Sequence, residues 1–170
     1  MANADEHLNQ WLRDAHAMEQ QAEEMLSAQA SRLEHYPVLR GRIQEHLEET
    51  RSQRQRLETC MQRRGVSPSA MKDFAAKVTA MMQGVGGMMA GDEVVKGVLA
   101  SYTFEHFEVG SYRILSATAE AVGDMETARL CEEICREDER MASWLYDEMP
   151  EITATYLSRD EVGLDDEAKA

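Results

Sequence analysis

Apolar side chains recur every three or four positions in four long stretches of this chain, which is the period of an amphipathic α-helix. The predicted bounds of these helices are about 4–30, Pro37–Gly65, Asp92–Val122 and Met125–Pro150. Proline is favoured in the first turn of a helix and glycine just after its end, so Pro37 and Gly65 support the second pair of bounds. Because no stretch alternates in the manner of a β-strand, the pattern predicts an all-α protein.

A long connection separates the second predicted helix from the third. Ser67-Pro68-Ser69 is a helix-start signal, and residues 70–82 can form one short helix before the glycines at 84–87 break it. The other two connections are short, and helices joined by short loops pack antiparallel. We therefore expect one antiparallel four-helix bundle domain over residues 1–150, with a short extra helix in the long connection. Residues 151–170 are expected to form a polar C-terminal tail.

Composition and charge argue against a nucleic-acid-binding, a secreted or a membrane-spanning protein. The chain has 170 residues and a formal net charge of −14, which argues against a nucleic-acid partner because phosphates would be repelled. Its first residues lack the basic start and apolar run of a signal peptide, and no apolar stretch is long enough to span a membrane. A cytoplasmic protein follows as the default expectation. Cys60, Cys131 and Cys135 lack the spacing of a zinc site and are expected to be buried, reduced thiols.

Charged residues interrupt the apolar stripes at one height of the predicted bundle. One glutamate falls on the inner stripe of each helix, and these residues are Glu19, Glu49, Glu105 and Glu137. His46 lies one turn before Glu49, and Glu108 lies one turn after Glu105. Antiparallel pairing of the hairpins brings these positions to a common level, since a helix rises about 1.5 Å per residue. Buried carboxylates repel one another, so a pair of metal ions between them is the economical explanation.

A second interpretation of the same glutamates stays open. Glutamate is usually a solvent-facing helix residue, and each of the four can instead face water or form a buried ion pair with arginine. A lone histidine such as His46 is likewise more often a hydrogen-bonded structural residue than a ligand. Its spacing from Glu49 places both side chains on one helix face, which favours the metal interpretation.

Four segments resemble the YciE/YciF ferritin-like proteins, a family of bacterial stress-associated proteins. Residues 12–21 resemble the family's L-x-D-x-Y-x-A-E-x-Q segment, although His16 and Met18 replace its tyrosine and alanine. Residues 46–50 match its H-L-E-E-T segment, and residues 105–112 are similar to E-H-Y-E-I-A-x-Y. An acidic run around Glu137 occupies the place of the family's acidic run on the last helix. The resemblance covers roughly residues 8–147.

The resemblance implies a ferritin-like bundle with a carboxylate-bridged pair of metal ions and a homodimeric assembly. The implied ligands are Glu19, His46, Glu49, Glu105, Glu108 and Glu137. We expect iron, with manganese or zinc as substitutes, bridged by Glu49 and by Glu105 or Glu137. Ferritin-like bundles usually carry E-x-x-H, whereas the second helix here carries H-x-x-E, and Arg140 stands where a second histidine would be expected.

Two functions remain open at this point. The first is a protein that oxidises Fe(II) or consumes peroxide or oxygen in a stress response. The second is a non-catalytic helical dimer, an interaction or structural protein with a structural or vestigial metal site. Iron retention with oxygen-dependent oxidation favours the first function, whereas a metal-free protein that folds normally favours the second.

Overall fold

A computed structural model describes residues 3–68, 80 and 93–161 of the chain. The helices of these residues are α1 (Ala4–Ala30), α2 (Pro37–Arg63), α3 (Glu93–Ala121) and α4 (Met125–Glu161). The predicted all-α four-helix bundle is therefore confirmed. The short extra helix predicted over residues 70–82 falls almost wholly outside the described residues. Among the described helices, none combines the length and the apolar character needed to cross a membrane.

The helix starts follow local sequence chemistry. Asn3 accepts a hydrogen bond from the backbone N–H of Glu6 at 2.9 Å, and the Glu6 carboxylate accepts one from the Asn3 backbone at 3.0 Å. This reciprocal pair satisfies two of the free N–H groups at the start of α1. Pro37 opens α2, as the sequence predicted. At the start of α4, the Asp124 carboxylate accepts the backbone N–H of Thr127 at 3.1 Å.

Two helices stop at glycine, whereas the last one continues further than the sequence predicted. Gly65 and Gly123 follow α2 and α3 with φ angles of 69° and 79°, a backbone conformation that favours glycine. The predicted end of the last helix at Pro150 is wrong, because α4 extends to Glu161 with Pro150 inside it. Ile152 lies beyond that proline and is buried in the core, so packing outweighs the local cost of proline. Part of the predicted tail is consequently helical.

The helices form a ring in which α1 packs against α2 and α3, and α4 packs against α3 and α2. Gln29 on α1 contacts Ser101 on α3, whereas Glu19 contacts Tyr112. These contacts show that α1 and α3 run antiparallel. The same holds for α2 and α4, since Gln53 contacts Asp138 and Arg63 contacts Asp124.

The apolar core consists of two clusters of buried side chains, one toward each end of the bundle. Between them, at mid-height, lies a layer of buried polar side chains from all four helices. This layer contains Glu19, His46, Thr50, Gln53, Glu105, Glu108 and Asp138. Ionisable side chains are rarely this deeply buried unless they are paired or coordinate a metal, so the polar layer is where a functional site is expected.

Candidate metal centre

His46 lies at the centre of the polar layer and links two carboxylates. Its position on the inner stripe of α2 buries the imidazole almost completely. The Nε2 atom lies 3.0 Å from Oε1 of Glu105 on α3, and the Nδ1 atom lies 2.8 Å from Oε2 of Glu49. The contact with Glu105 spans the bundle between helices that are diagonal to each other, so His46 reaches the axis of the core.

Glu105 and Glu108 are one turn apart on the inner face of α3 and are both buried. Together with His46 and Asp138 they offer one ligand atom each, and these four atoms all lie within 4.8 Å of one another. We call these residues the tetrad. One imidazole nitrogen and three carboxylate oxygens form a ligand set that suits iron, manganese or zinc. The structure thus brings together three of the residues predicted from the sequence and one that was not predicted.

Asp138 is the member of the tetrad that sequence reasoning missed. It is buried on the inner stripe of α4, where its Oδ1 accepts a hydrogen bond from Gln53 Nε2 at 2.9 Å. The predicted stripe placed Glu137 inward, which is wrong by one residue. The signal lay in Cys131 and Cys135, since Asp138 is seven residues after the first and three after the second. Both thiols are buried, so they mark the inner face of α4.

Glu137 lies at the rim of the polar layer. Its side chain is 20% exposed and forms an ion pair with Arg56, and it accepts a hydrogen bond from Gln53 Nε2 at 3.1 Å. An arginine partner already neutralises this carboxylate. Glu137 does not belong to the tetrad, and its position beside Arg56 does not support its predicted role as a ligand and bridge.

Glu49 also lies outside the tetrad. Its side chain is 35% exposed, and besides His46 it faces Arg42, with Nη1 of the arginine 3.5 Å from its Oε2. The next residue, Thr50, takes the buried position on α2. The structure thus places Glu49 behind the imidazole, on its outer nitrogen. A carboxylate in this position fixes the orientation of a histidine ligand and is common around metal sites.

Glu19 on α1 lies beside the tetrad and is fully buried, as the sequence predicted. Its Oε1 atom accepts a hydrogen bond from the hydroxyl of Tyr112, which is also fully buried. Coulombic interactions couple Glu19 to Glu105, to Glu108 and to His46. With Glu19, α1 also contributes a carboxylate to the polar layer, so all four helices contribute a side chain to it.

Four carboxylate oxygens in this layer are buried and find no hydrogen-bond partner within the described part of the chain. They are Oε2 of Glu19, Oε2 of Glu105, Oε1 of Glu108 and Oδ2 of Asp138. A buried oxygen without a partner costs free energy, and native proteins contain few of them. Bound cations would satisfy all four, so the residues present fit the metal centre that the fold family implies.

The electrostatics of the metal-free site favour protonated carboxyl groups. Burial raises the pKa of Glu19 to about 8, although the hydrogen bond from Tyr112 and the charge of His46 act against this shift. Burial and the neighbouring carboxylates also hold the pKa values of Glu108 and Asp138 well above their usual range. For His46, burial lowers the pKa, but the charge of Glu105 and the hydrogen bonds to Glu105 and Glu49 outweigh it and raise the pKa to about 10.

These shifts predict that the metal-free protein loses stability as the pH rises. The pKa of Glu19 is raised from 4.5 to about 8, so the folded state binds the extra proton and stability falls across that interval. The pKa of His46 is raised from 6.5 to about 10, so its contribution is complete below 6.5 and is lost toward 10. Chelator-treated protein should show a urea midpoint that decreases from about pH 5 to about pH 9.

Metal should reverse this trend, because ligands must lose their protons to bind and metal affinity therefore rises with pH. The matched experiment repeats the unfolding series with Mn(II) under anaerobic conditions, which prevent its oxidation at alkaline pH. A metal-free protein whose urea midpoint increases over the same interval would contradict the raised pKa values of the buried carboxyl groups.

The tetrad includes no second histidine and no cysteine from the described residues. The Nε2 atom of His16 lies 2.8 Å from Oε1 of Glu58, a carboxylate that does not belong to the tetrad. His106 is exposed and packs edge-on against Tyr102, with ring centroids 4.5 Å apart. The three cysteines are free and buried, as predicted. Burial raises the pKa of Cys131, which keeps this thiol protonated and unreactive.

Comparison with known proteins places the chain in a family. The family model described as "Domain of unknown function (DUF892)" matches residues 3–158. The solved structure of a protein from Xanthomonas campestris pv. campestris is 39% identical, with a TM-score of 0.80, over 94% of this chain and 99% of that chain.

Two more distant solved structures share the fold. YcfI from Rhodopseudomonas palustris is 24% identical with a TM-score of 0.74, over 85% of this chain and 94% of that chain. The E. coli stress protein YciF is 23% identical with a TM-score of 0.75, over 88% of this chain and 96% of that chain. The predicted resemblance to the YciE/YciF proteins is confirmed. The match over nearly its whole length shows that the chain belongs to the DUF892 family.

Proposed function

We propose that this protein is a ferritin-like carboxylate protein that binds two metal ions in the polar layer of its bundle. The observation that carries the proposal is the set of four buried carboxylate oxygens without a hydrogen-bond partner, grouped around His46. No lysine or arginine pairs with Glu105, Glu108 or Asp138 in the described residues, which disfavours the interpretation of the layer as buried arginine ion pairs.

The tetrad is proposed to hold the first ion. His46 is the nitrogen ligand in this proposal, and Glu105, Glu108 and Asp138 supply oxygens. Glu19 is proposed to complete a second position together with carboxylates shared from the tetrad, because its free oxygen lies beside them. Oxygen and nitrogen donors favour iron, manganese or zinc over soft metals such as Cu(I).

Glu49 is proposed to assist rather than to bind. It contacts Nδ1 of His46 and thereby leaves Nε2 directed at the carboxylates of the tetrad. Its partly exposed carboxylate also gives the buried imidazole a hydrogen-bonded connection to solvent.

Iron bound here would supply electrons to oxygen or peroxide, which is the chemistry that a ferroxidase or a peroxide-consuming protein needs. The surrounding chain contributes a buried, charged layer with one apolar cluster on each side of it. A role in stress is suggested only by the description of YciF as a stress protein, and that relative is 23% identical. Oxidation of Fe(II) in a stress response is the activity that we propose for this centre.

A second candidate is a non-catalytic homodimer with a structural or vestigial metal site. The observation that favours it is an apolar groove on the α1–α3 face, where Trp11 and Ile114 are exposed beside Phe107. Exposed apolar patches of this kind often mark protein interfaces. The homodimer expected from the family resemblance stays a prediction, since it is compatible with either function.

Oxygen uptake separates the two candidates. Protein loaded anaerobically with Fe(II) and then exposed to oxygen should consume oxygen and develop ferric absorbance faster than Fe(II) in buffer. The control is Glu105→Gln loaded in the same way, which removes a tetrad carboxylate but keeps nearly the same volume. Metal binding with a raised melting temperature but without oxygen uptake above the control would support the structural function and contradict the catalytic one.

A further inference from the structure

Glu19 differs from the three tetrad carboxylates in having a tyrosine hydroxyl as a partner. Tyr112 lies one turn after Glu108 on α3, and its hydroxyl donates to Oε1 of Glu19. The other oxygen of this carboxylate, Oε2, is buried and has no hydrogen-bond partner among the described residues. The hydrogen bond therefore makes the two oxygens of Glu19 unequal.

Apolar packing holds the Tyr112 ring in place independently of its hydrogen bond to Glu19. Tyr112 is fully buried and belongs to the apolar cluster at the α1 N-terminal end of the bundle, among neighbours that include Leu115 and Met18. Aromatic rings confined in this way have few orientations, and a buried tyrosine hydroxyl normally needs a hydrogen-bond partner. Packing thus fixes the position of the Tyr112 hydroxyl, and the hydroxyl in turn fixes the rotamer of Glu19.

We propose that Tyr112 is a positioning residue that holds Oε1 of Glu19 and leaves Oε2 as the atom for metal, so that the centre has two unequal metal positions. This inference rests on the proposed metal-binding function. The tetrad offers an imidazole and three carboxylates, whereas the position beside Glu19 depends on one tyrosine-held oxygen and on shared ligands. The tetrad position should consequently bind first and more tightly.

The test uses anaerobic titration of the full metal-free chain with Co(II), whose visible absorption reports the ligands around each ion. Wild-type protein should bind two equivalents in separate steps. Tyr112→Phe should weaken the second step by roughly 10- to 100-fold and change its spectrum. Replacing a residue that hydrogen-bonds to a metal ligand typically lowers metal affinity by a factor of this size. The first step and its spectrum should be unchanged. Tyr102→Phe is the matched control, because it removes a hydroxyl from the same helix beside His106.

Several results would overturn this role for Tyr112. Equal weakening of both steps would show that the tyrosine supports only the bundle, and unchanged binding in Tyr112→Phe would show that it does not position Glu19. A wild type with a single step would remove the second position. A wild type that binds no Co(II) would overturn the proposed metal function itself, which is a different result from the others.

A second measurement does not require the phenylalanine variant to fold. In wild-type protein, Zn(II) at the second equivalent should perturb the ultraviolet absorption of tyrosine, because metal binding at Oε2 changes the charge on the carboxyl group that accepts the Tyr112 hydroxyl. The first equivalent should have little effect. Glu19→Gln should bind the first equivalent and lack the tyrosine signal. A signal at the first equivalent, or none at either, would overturn the inference.

Discussion

Replacement of His46 by alanine is expected to lower the free energy of unfolding of the metal-free protein by about 3–5 kcal/mol, the usual cost of breaking a buried charged pair. The imidazole is almost fully buried and contacts Glu105 at 3.0 Å and Glu49 at 2.8 Å. Alanine leaves Glu105 in the core without its cationic partner and opens a cavity beside it. Urea unfolding of both proteins in the presence of chelator measures the effect.

The control for this change is His106→Ala on the next helix. His106 is exposed and contacts Tyr102 through its ring, so its loss should shift the free energy of unfolding by no more than about 0.5 kcal/mol. The two variants remove the same side chain from a buried and an exposed position. Equal effects of the two replacements would show that His46 is not the centre of a buried charged network.

Replacement of Asp138 by asparagine is expected to abolish most of the stabilisation that metal provides. A ligand that binds only the folded state stabilises it by about 4 kcal/mol at a free concentration about 1,000 times its Kd. Asparagine keeps the shape of aspartate, and its amide oxygen can still accept the hydrogen bond from Gln53. Its NH2 group replaces the carboxylate oxygen that has no partner, so a cation there would be repelled.

The same variant should be as stable as wild type, or more stable, without metal. Burial and the neighbouring carboxylates raise the pKa of Asp138, so at neutral pH its carboxyl group must either carry an unfavourable charge in the core or take up a proton on folding. An uncharged amide avoids both costs. The stability gain and the metal loss have opposite signs, and melting temperatures with and without Mn(II) measure both. General damage to the fold would instead lower the melting temperature in both conditions.

Glu137→Gln is the matched control, because the adjacent residue undergoes the same chemical change. This replacement breaks an ion pair with Arg56 in which both side chains are partly exposed, so a loss of only about 0.2–1 kcal/mol is expected. The metal-induced shift should remain. If Glu137→Gln loses the shift and Asp138→Asn keeps it, the sequence-based register of α4 is right and the one in the structure is wrong.

The sequence predicted most of the fold because helix ends and apolar periodicity are local properties. The start of α2 at Pro37 and its stop before Gly65 were both found from residue types alone. The inner face of α1, including Glu19, was also predicted. The end of α4 was not predicted. A proline such as Pro150 locally indicates a helix end, whereas the burial of Ile152 depends on how the helix packs.

The candidate site was predicted less completely, for a geometric reason. Adjacent residues on a helix point about 100° apart, so a stripe that shifts by one residue exchanges a buried carboxylate for one at the rim. Both Glu137 and Asp138 continue an apolar stripe at allowed spacings from Ile134. The packing of α4 against α2 brings Gln53 to Asp138 and decides between them, in the register that the buried Cys131 and Cys135 also mark. The same ambiguity placed Glu49 in the layer where Thr50 is buried.

The central claim, that the polar layer is a metal centre, is tested most directly by elemental analysis of the purified chain. Protein grown with added iron and purified without chelator should carry close to two metal ions per chain, because five of the residues around the layer offer ligand atoms. Asp138→Asn prepared in parallel should carry clearly less. A wild type that contains far less than one ion per chain, even after anaerobic loading with Fe(II), would contradict the claim.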